Sequence, residues 1–258
     1  MQKRTSSWAT TLPLKEFGFI LNKQEFTDAI CLRYNYNIQN MPNHCACGNK
    51  NSINHALICK KGGFVSLRHN QIRDLEANLL SEVCRDVRTE PTLLPITGEV
   101  FDKKSVNTSP EARLDVSARG VWNTMDRVFF DVRVFHHGAA SNQCGTIENT
   151  FKKHEDEKKR TYNQRVIQIE KATFTPLVFS TSGAMGDEAN KFHKRIAMLM
   201  SYKRGNLYSD CISYIRKKLS FTILRTILMA IRGYRGQPLQ KEQTNSDINL
   251  IENYELIY

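Results

Sequence analysis

Two aspartates and a lysine are the residues in this chain best suited to catalysis. Asp115 lies in the segment RLDVSA and Asp131 lies in RVFFDVRV, where β-branched and aromatic neighbours favour strands. A lone buried carboxylate is unfavourable, and a neighbouring cation offsets that penalty. Two carboxylates that converge on one point form the hard oxygen site that Mg²⁺ prefers. The pattern therefore predicts a magnesium site carried by two neighbouring strands.

The helix predicted after these strands supplies a positive charge. Residues 151–169 place Phe151, Val166 and Ile169 on one helical face, which indicates that this face packs inward. Lys158 lies in the middle of that face, where its amine either reaches solvent or meets a carboxylate or a phosphate. Two acids, a divalent metal and a lysine suit phosphodiester hydrolysis, because the metal activates water and the lysine stabilises developing charge. The alternative is that the acids cap strand ends and the lysine pairs with a surface acid.

Upstream, a cluster of metal-binding residue types predicts a zinc site. Its members are Cys45, Cys47, His55 and Cys59. Thiolates and an imidazole at this density suit a tetrahedral structural Zn²⁺, and the last two members share a helix face because they are four residues apart. His44 or His69 could replace one ligand. A group of buried free cysteines is the alternative interpretation.

The order of these residues resembles the PD-(D/E)XK nuclease superfamily. It is most similar to the restriction-like endonuclease that ends the polyprotein of some non-LTR retrotransposons, where a CCHC zinc knuckle precedes the nuclease and the lysine lies on a helix in K-x-x-x-Y. The resemblance implies that Asp115 and Asp131 bind Mg²⁺, that Lys158 assists, and that Tyr162 supports the lysine. It also implies an α/β fold with an α-β-β-β-α-β core, in which helices flank a mixed sheet.

Two positions depart from the family pattern. Leu114 stands where proline usually precedes the first aspartate, and Arg133 stands where the usual strand lysine lies. Arginine keeps the charge but does not release a proton, so a site in which Lys158 did not take over would bind DNA without cutting it. Some members of the superfamily use an acid from the first helix, which makes Glu76 a candidate; a solvated glutamate is the alternative.

The coarse pattern of elements follows the same order. A helix is predicted over 64–87, a strand over 92–96, then the two aspartate strands, the lysine helix and a buried strand at 177–179. Nearer the N-terminus, Phe26, Ile30 and Tyr34 recur at helical spacing, which predicts a helix that packs on them.

The charge of the chain points to an anionic partner. The net charge is +11, and residues 191–236 hold eleven Lys/Arg and one acid. Such a segment fits binding to a phosphate backbone, so DNA is the predicted partner, with the RNA of the element as a second candidate. The predicted contacts are Arg216, Lys217, Arg225 and Arg232. A charged, solvated face is the alternative.

Location and domain organisation complete the predictions. Seven cysteines, with no apolar signal segment at the start, predict an intracellular, reducing environment, and we expect the nucleus. The apolar run LSFTILRTILMAI is too short to span a bilayer. The predicted units are a helical linker segment at 1–43, the zinc knuckle at 44–62, the nuclease core at 63–185, a basic helical extension at 186–236 and a disordered tail at 237–258.

Two other functions stay open from the sequence. A degenerate nuclease fold would bind DNA or RNA without catalysis. A zinc-stabilised domain for protein interaction would show no salt-dependent binding to nucleic acid.

Overall fold

The structure is a computed structural model that describes residues 6–142, 145–233 and 235. The predicted tail at 237–258 lies outside these residues. The described chain has an α/β fold, in which helices flank a four-stranded mixed sheet. In chain order, the elements are α1 (Lys23–Tyr34), α2 (Ile53–Ile58), α3 (Phe64–Val83), β1 (Arg85–Thr89), β2 (Val116–Arg119), β3 (Arg127–Phe135), α4 (Ile147–Gln168), β4 (Thr173–Ser180), α5 (Asp187–Arg204) and α6 (Tyr208–Arg232).

The strands lie in the order β1-β2-β3-β4. The first three are antiparallel neighbours, whereas β3 and β4 are parallel. Parallel strands need a crossover connection, and α4 provides it. Pro176 of β4 pairs in register with Asp131, and a proline is tolerated there because β4 is an edge strand.

Strand β3 separates two packing layers, because successive side chains of a strand point to opposite faces. Val128 and Phe130 enter the main core, which the sheet forms with α3, α5 and α6. Phe129 lies on the other face, in a second cluster with Val166 of α4. Asp131 shares the face of Phe129 and therefore points toward α4.

The predicted first strand is wrong in position. Helix α3 ends at Val83, and β1 follows at once, whereas Thr92 forms only an isolated bridge to Arg113. Pro91 precedes the predicted strand and Pro95 lies within it, and each lacks the backbone N–H that a ladder needs.

The predicted packing face of α1 is wrong for Phe26 and Tyr34, whereas Ile30 is half-buried and packs on the cluster that contains Trp8. The buried residues of α1 are Asp28 and Ala29, while Phe26 and Tyr34 are mainly exposed. The reason is an ion pair: the Arg232 guanidinium donates two hydrogen bonds of 2.7 Å to the Asp28 carboxylate and draws that side of the helix inward.

Two basic residues of α6 make structural contacts that the sequence does not predict. Arg225 donates to the carbonyls of Gly18 and Ile20, at 2.6 and 3.0 Å. Arg225 and Arg232 therefore tie the N-terminal segment to α6, and their predicted contact with phosphate stays a prediction beside this structural role. Arg216 and Lys217 are half-exposed, and their contact with phosphate stays a prediction. Within the described ranges, no helix has the length and apolar character that crossing a membrane requires.

Candidate active site and metal centre

Local structure brings the cysteine and histidine residues together. Gly48 donates its backbone N–H to the Cys45 carbonyl at 2.9 Å, and its φ of +90° permits a tight turn that other residues rarely adopt. The second pair is carried by α2, whose first turn is capped by the Ser52 hydroxyl, which accepts from the N–H of His55. Cys59 is the C-cap of this helix, so turn and helix together position all the predicted ligands.

The geometry of the cluster fits a tetrahedral ion. The ligand atoms of its members all lie within 4.8 Å of one another. Cys45 Sγ is 3.8 Å from Cys59 Sγ, and Cys47 Sγ is 3.2 Å from His55 Nε2. Tetrahedral zinc with bonds of about 2.3 Å to sulfur separates two thiolates by about 3.8 Å. This cluster can therefore hold a metal ion such as zinc.

The thiols of the cluster differ in environment. The backbone N–H of Asn49 is the main reason why the pKa of Cys47 falls to about 6, and this favours the thiolate that a metal requires. Burial raises the pKa of Cys59. Cys47 is exposed, which disagrees with the alternative of a group of buried free cysteines.

The alternative zinc ligands lie elsewhere. His69 Nε2 is 3.0 Å from Asp115 Oδ1, and His44 is exposed, with its backbone bridged to Lys50. Within residues 6–142, 145–233 and 235, the predicted cluster is the one group of three or more His, Cys, Asp or Glu side chains placed to share an ion.

The second site is a pair of carboxyl groups between the sheet and α4. Lys158 Nζ lies 2.6 Å from Asp131 Oδ2. The amine approaches without an aligned hydrogen bond, so this buried oxygen has no aligned donor. The Asp115 side chain, one residue before β2, lies beside the Asp131 carboxyl group, close enough for its charge to raise the pKa of Asp131. The fold therefore unites the three residues on which the sequence analysis placed catalysis.

Asp115 is held from two sides. Its Oδ2 accepts a 2.6 Å hydrogen bond from the backbone N–H of Val132. Because β2 begins only at Val116, the side chain takes the acceptor position that a longer β2 would fill with a backbone carbonyl. Its Oδ1 lies 3.0 Å from His69 Nε2, which can donate to it from α3. Both oxygens are fixed by groups on rigid elements, so the carboxylate has one defined orientation.

The two carboxyl groups differ in acidity. Burial raises the pKa of Asp131 to about 7, and the neighbouring Asp115 adds to this effect while the Lys158 ammonium opposes it. Burial also acts on Asp115, but the hydrogen bond and positive charge of His69 outweigh it and lower the pKa of Asp115. The surroundings therefore move the pKa values of the two carboxyl groups in opposite directions.

These contacts decide against the simpler alternative for two residues. Asp131 lies within β3, so it does not cap a strand end. The partner of Lys158 is this buried carboxyl group and not a surface acid.

Two predicted assisting residues lie next to the carboxyl pair. The Tyr162 ring centroid is 5.9 Å from Lys158 Nζ and 5.8 Å from the Phe174 ring, so it packs under the amine from one turn further along α4. Arg133 Nη1 donates to Glu157 Oε2 at 3.0 Å and is therefore turned toward α4.

Glu76 lies apart from this site. It is fully buried, and both of its oxygens are 3.0 Å from His193 Nε2 on α5. The alternative of a solvated glutamate is wrong. Glu76 has no contact with Asp115 or Asp131 that would support its predicted catalytic role.

His69 is the contact that sequence reasoning missed at the carboxyl pair. The sequence suggests His69 as a substitute zinc ligand, a DNA contact or a packing residue, yet in the structure it holds an aspartate 46 positions along the chain. One signal was present in the sequence. His69, Ile72, Glu76 and Leu79 recur at helical spacing, which indicates that the histidine shares the inward stripe of α3.

No protein-family model matches this chain, and no curated protein shows a significant match to it. The function therefore has to be inferred from the chemistry of the two sites.

Proposed function

We propose that this protein is a metal-dependent DNA endonuclease that hydrolyses phosphodiester bonds at Asp115, Asp131 and Lys158. The observation that supports the proposal is the buried ion pair of 2.6 Å between Lys158 Nζ and Asp131 Oδ2, beside a second carboxyl group. A protein with a buried ion pair is often less stable than a variant with apolar residues of similar volume in its place. Perturbed carboxyl groups of this kind concentrate at functional sites, which favours a catalytic reason for the pair.

The order of elements supports the same proposal. From α3 to β4 the chain runs helix, strand, strand, strand, helix, strand, which is the order of the PD-(D/E)XK core. One acid precedes β2, the other lies in β3, and the lysine comes from the next helix, as in the restriction-like endonucleases of non-LTR retrotransposons. We therefore propose an origin in such an element, and a nuclear location for its activity on DNA.

The carboxyl pair fits a divalent cation. Asp131 Oδ2 is buried without an aligned donor, and the adjacent ammonium shows that a positive charge is favourable there. Asp115 keeps free lone pairs, since each of its oxygens accepts from one protein donor and a carboxylate oxygen has two lone pairs. Mg²⁺ commonly uses two carboxylates and completes its shell with water. When bound, the ion would polarise the scissile phosphate and lower the pKa of a water molecule.

Each neighbouring side chain has a role that follows from its contacts. Lys158 would stabilise negative charge on the phosphate once the metal neutralises Asp131. Tyr162 keeps the amine in place through its ring face. His69 and the N–H of Val132 fix the orientation of Asp115. The zinc knuckle would hold the N-terminal part of the DNA-binding surface in shape.

One observation favours a second candidate, a catalytically inactive module that binds DNA or RNA. Arg133 replaces the usual strand lysine, and its guanidinium pairs with Glu157 instead of the carboxyl pair. In that case Lys158 would serve as a fixed counter-ion to Asp131.

Nicking of supercoiled plasmid in Mg²⁺ separates these functions. Lys158→Met and Asp131→Asn should each reduce nicking by at least about a hundredfold, the scale for loss of a group that stabilises transition-state charge. DNA binding should change little. The matched controls are Lys159→Met, one residue along the same helix where the amine pairs with Glu188 at 2.7 Å, and Asp156→Asn on its exposed face.

Each outcome has one meaning. Nicking that persists in both the Lys158→Met and the Asp131→Asn variants would contradict the nuclease proposal. Salt-dependent DNA binding by the unaltered protein without nicking favours the inactive module. Absence of any salt-dependent binding favours a protein-interaction domain.

A further inference from the structure

Two exposed aromatic side chains lie just ahead of the zinc knuckle. Tyr34, the last residue of α1, is 59% exposed, and Tyr36 is 62% exposed. Their ring centroids are 6.0 Å apart and their planes differ by 28°, so the rings stack. Asn35 between them adopts a left-handed φ of 57°, which reverses the chain and brings the rings together. We name these two residues the tyrosine pair.

The chain segment that contains the tyrosine pair and the knuckle is cationic. Residues 29–73 contain six Lys/Arg and no Asp or Glu. Lys50, Lys60 and Lys61 in this segment are exposed, and the Arg33 guanidinium carbon lies 5.9 Å from the Tyr34 ring centroid. The acid that precedes the segment, Asp28, is buried and neutralised by its ion pair with α6.

The tyrosine pair and the knuckle are anchored to the same end of α6. Arg232 donates to the Gln39 carbonyl at 2.9 Å, and Arg235 donates to the Ala56 carbonyl in α2 at 3.2 Å. These contacts fix the linker that follows the tyrosines and the helix that carries two zinc ligands. The exposed rings and the knuckle lysines thus belong to one firmly held part of the fold.

We propose that the tyrosine pair and the knuckle lysines bind single-stranded nucleic acid. Unpaired bases would stack on the two tyrosine rings, and Lys50, Lys60 and Lys61 would contact the backbone phosphates. Aromatic platforms combined with cations are the general means of binding single strands, because every base has a π-face. A duplex is a poorer ligand, since its base faces are already stacked. This inference deepens the proposed function, on which it rests for taking nucleic acid as the ligand.

Fluorescence anisotropy with the full-length, zinc-loaded Asp131→Asn protein tests the proposal, because this variant should leave the probe intact. The probes are fluorescein-labelled oligo(dT), oligo(U) and a duplex of equal length. Tyr34→Ala and Tyr36→Ala should each weaken single-strand binding by about fivefold or more, the lower end of measured stacking contributions. Tyr34→Phe and Tyr36→Phe should bind like the parent. Tyr202→Ala is the matched control, since Tyr202 is 92% exposed but lies on α5.

The salt dependence tests the lysines. Lys60→Gln with Lys61→Gln should reduce the slope of log affinity against log salt by about 1.4, since each phosphate contact on a single strand accounts for about 0.7. An unchanged slope would remove the lysines from the site.

Alanine variants of the tyrosine pair that bind as tightly as the parent overturn the proposal. A loss as large in Tyr202→Ala, or an equal loss for the duplex, also overturns it. Failure of nicking alone leaves the inference standing, because binding is measured without cleavage. A parent protein that binds none of the probes removes both proposals.

Discussion

The zinc cluster and the carboxyl pair are both polar sites, but the chain assembles them in opposite ways. The cluster takes all of its ligands from residues 45–59, within a turn and a short helix. The carboxyl pair and its partners come from α3, the start of β2, β3 and α4, and span residues 69–158. The first site is set by local geometry, whereas the second exists only when sheet and helices have packed.

This difference predicts how each site fails. The cluster can hold a metal ion, and loss of such an ion should unfold the structure locally at a large cost in free energy. The carboxyl pair is held by the surrounding fold, and one of its acids has a perturbed pKa. Variants of the pair should therefore change the free energy of unfolding and its dependence on pH.

Removing the metal ligands should give the largest effect. Cys45→Ser or Cys59→Ser should abolish zinc binding, which is worth about 10–16 kcal/mol in small zinc domains. Zinc content by atomic absorption should fall to zero, and the melting temperature should drop because buried Ala56 and Leu57 of α2 lose their support. Cys84→Ser, outside the cluster, should retain zinc. Full zinc content in the ligand variants would show that these cysteines do not hold the metal.

Breaking the buried ion pair should have the next largest effect. Lys158→Met leaves the Asp131 carboxyl group without its cation, and such a loss costs about 3–5 kcal/mol. Adding Asp131→Asn should recover most of this stability in urea unfolding. Lys159→Met breaks the more exposed pair with Glu188 and should cost only about 0–1 kcal/mol. Equal losses in the two lysine variants would show that Lys158 is a surface residue.

The pH dependence should reveal the perturbed acid. The pKa of Asp131 rises from 3.8 to about 7 on folding, so between these values the folded state binds more protons than the unfolded chain. The stability that Asp131 contributes is therefore present below about pH 4 and is lost as pH rises to about 7, at a limit of about 1.4 kcal/mol per pH unit.

Denaturant unfolding from pH 5 to pH 8 should show Asp131→Asn gaining stability relative to the parent. Asp115 acts in the opposite direction, because its lowered pKa gives stability above its ordinary range that is lost in acid. A constant difference between parent and Asp131→Asn across this range would mean that Asp131 is an ordinary solvated acid.

Restoring the usual strand lysine should have the smallest effect. Arg133→Lys changes a half-exposed pair with Glu157, so unfolding free energy should shift by less than about 1 kcal/mol. If Lys158 serves as the catalytic lysine, the nicking rate should stay within a few-fold of the parent. A large gain in nicking would show instead that position 133 limits catalysis.

The sequence predicted much of the fold where side chains alternate strongly. RVFFDVRV was expected as a strand and lies within β3, and the face of α4 that carries Phe151 and Val166 is buried as expected. The polar segment RDVRT carried no such signal, and the predicted helix included its first three residues, yet it is β1 because it pairs with β2 at the sheet edge. Pairing with a neighbour can thus outweigh a weak local preference.

The candidate sites show the same limit. The roles of Asp28, Arg225 and Arg232 could not be predicted, because each depends on a partner near the other end of the chain. A charge count indicated a phosphate-binding helix, but it cannot tell a solvated arginine from one that holds backbone carbonyls. The contact of His69 with Asp115 was missed for a related reason, since α3 and β2 meet only in the packed domain.

The Cys/His cluster follows from the sequence alone, because the spacing of its members lies within one turn and one helix. The sequence also determined which residues carry chemistry, since an acid among strand residues and a lysine on an apolar helical face are unfavourable without a partner. The packing of sheet and helices brings Asp115, Asp131 and Lys158 together, adds His69 to them and keeps Glu76 apart. Spacing along a chain fixes neighbours within an element, whereas sheet register and helix packing fix which distant side chains meet.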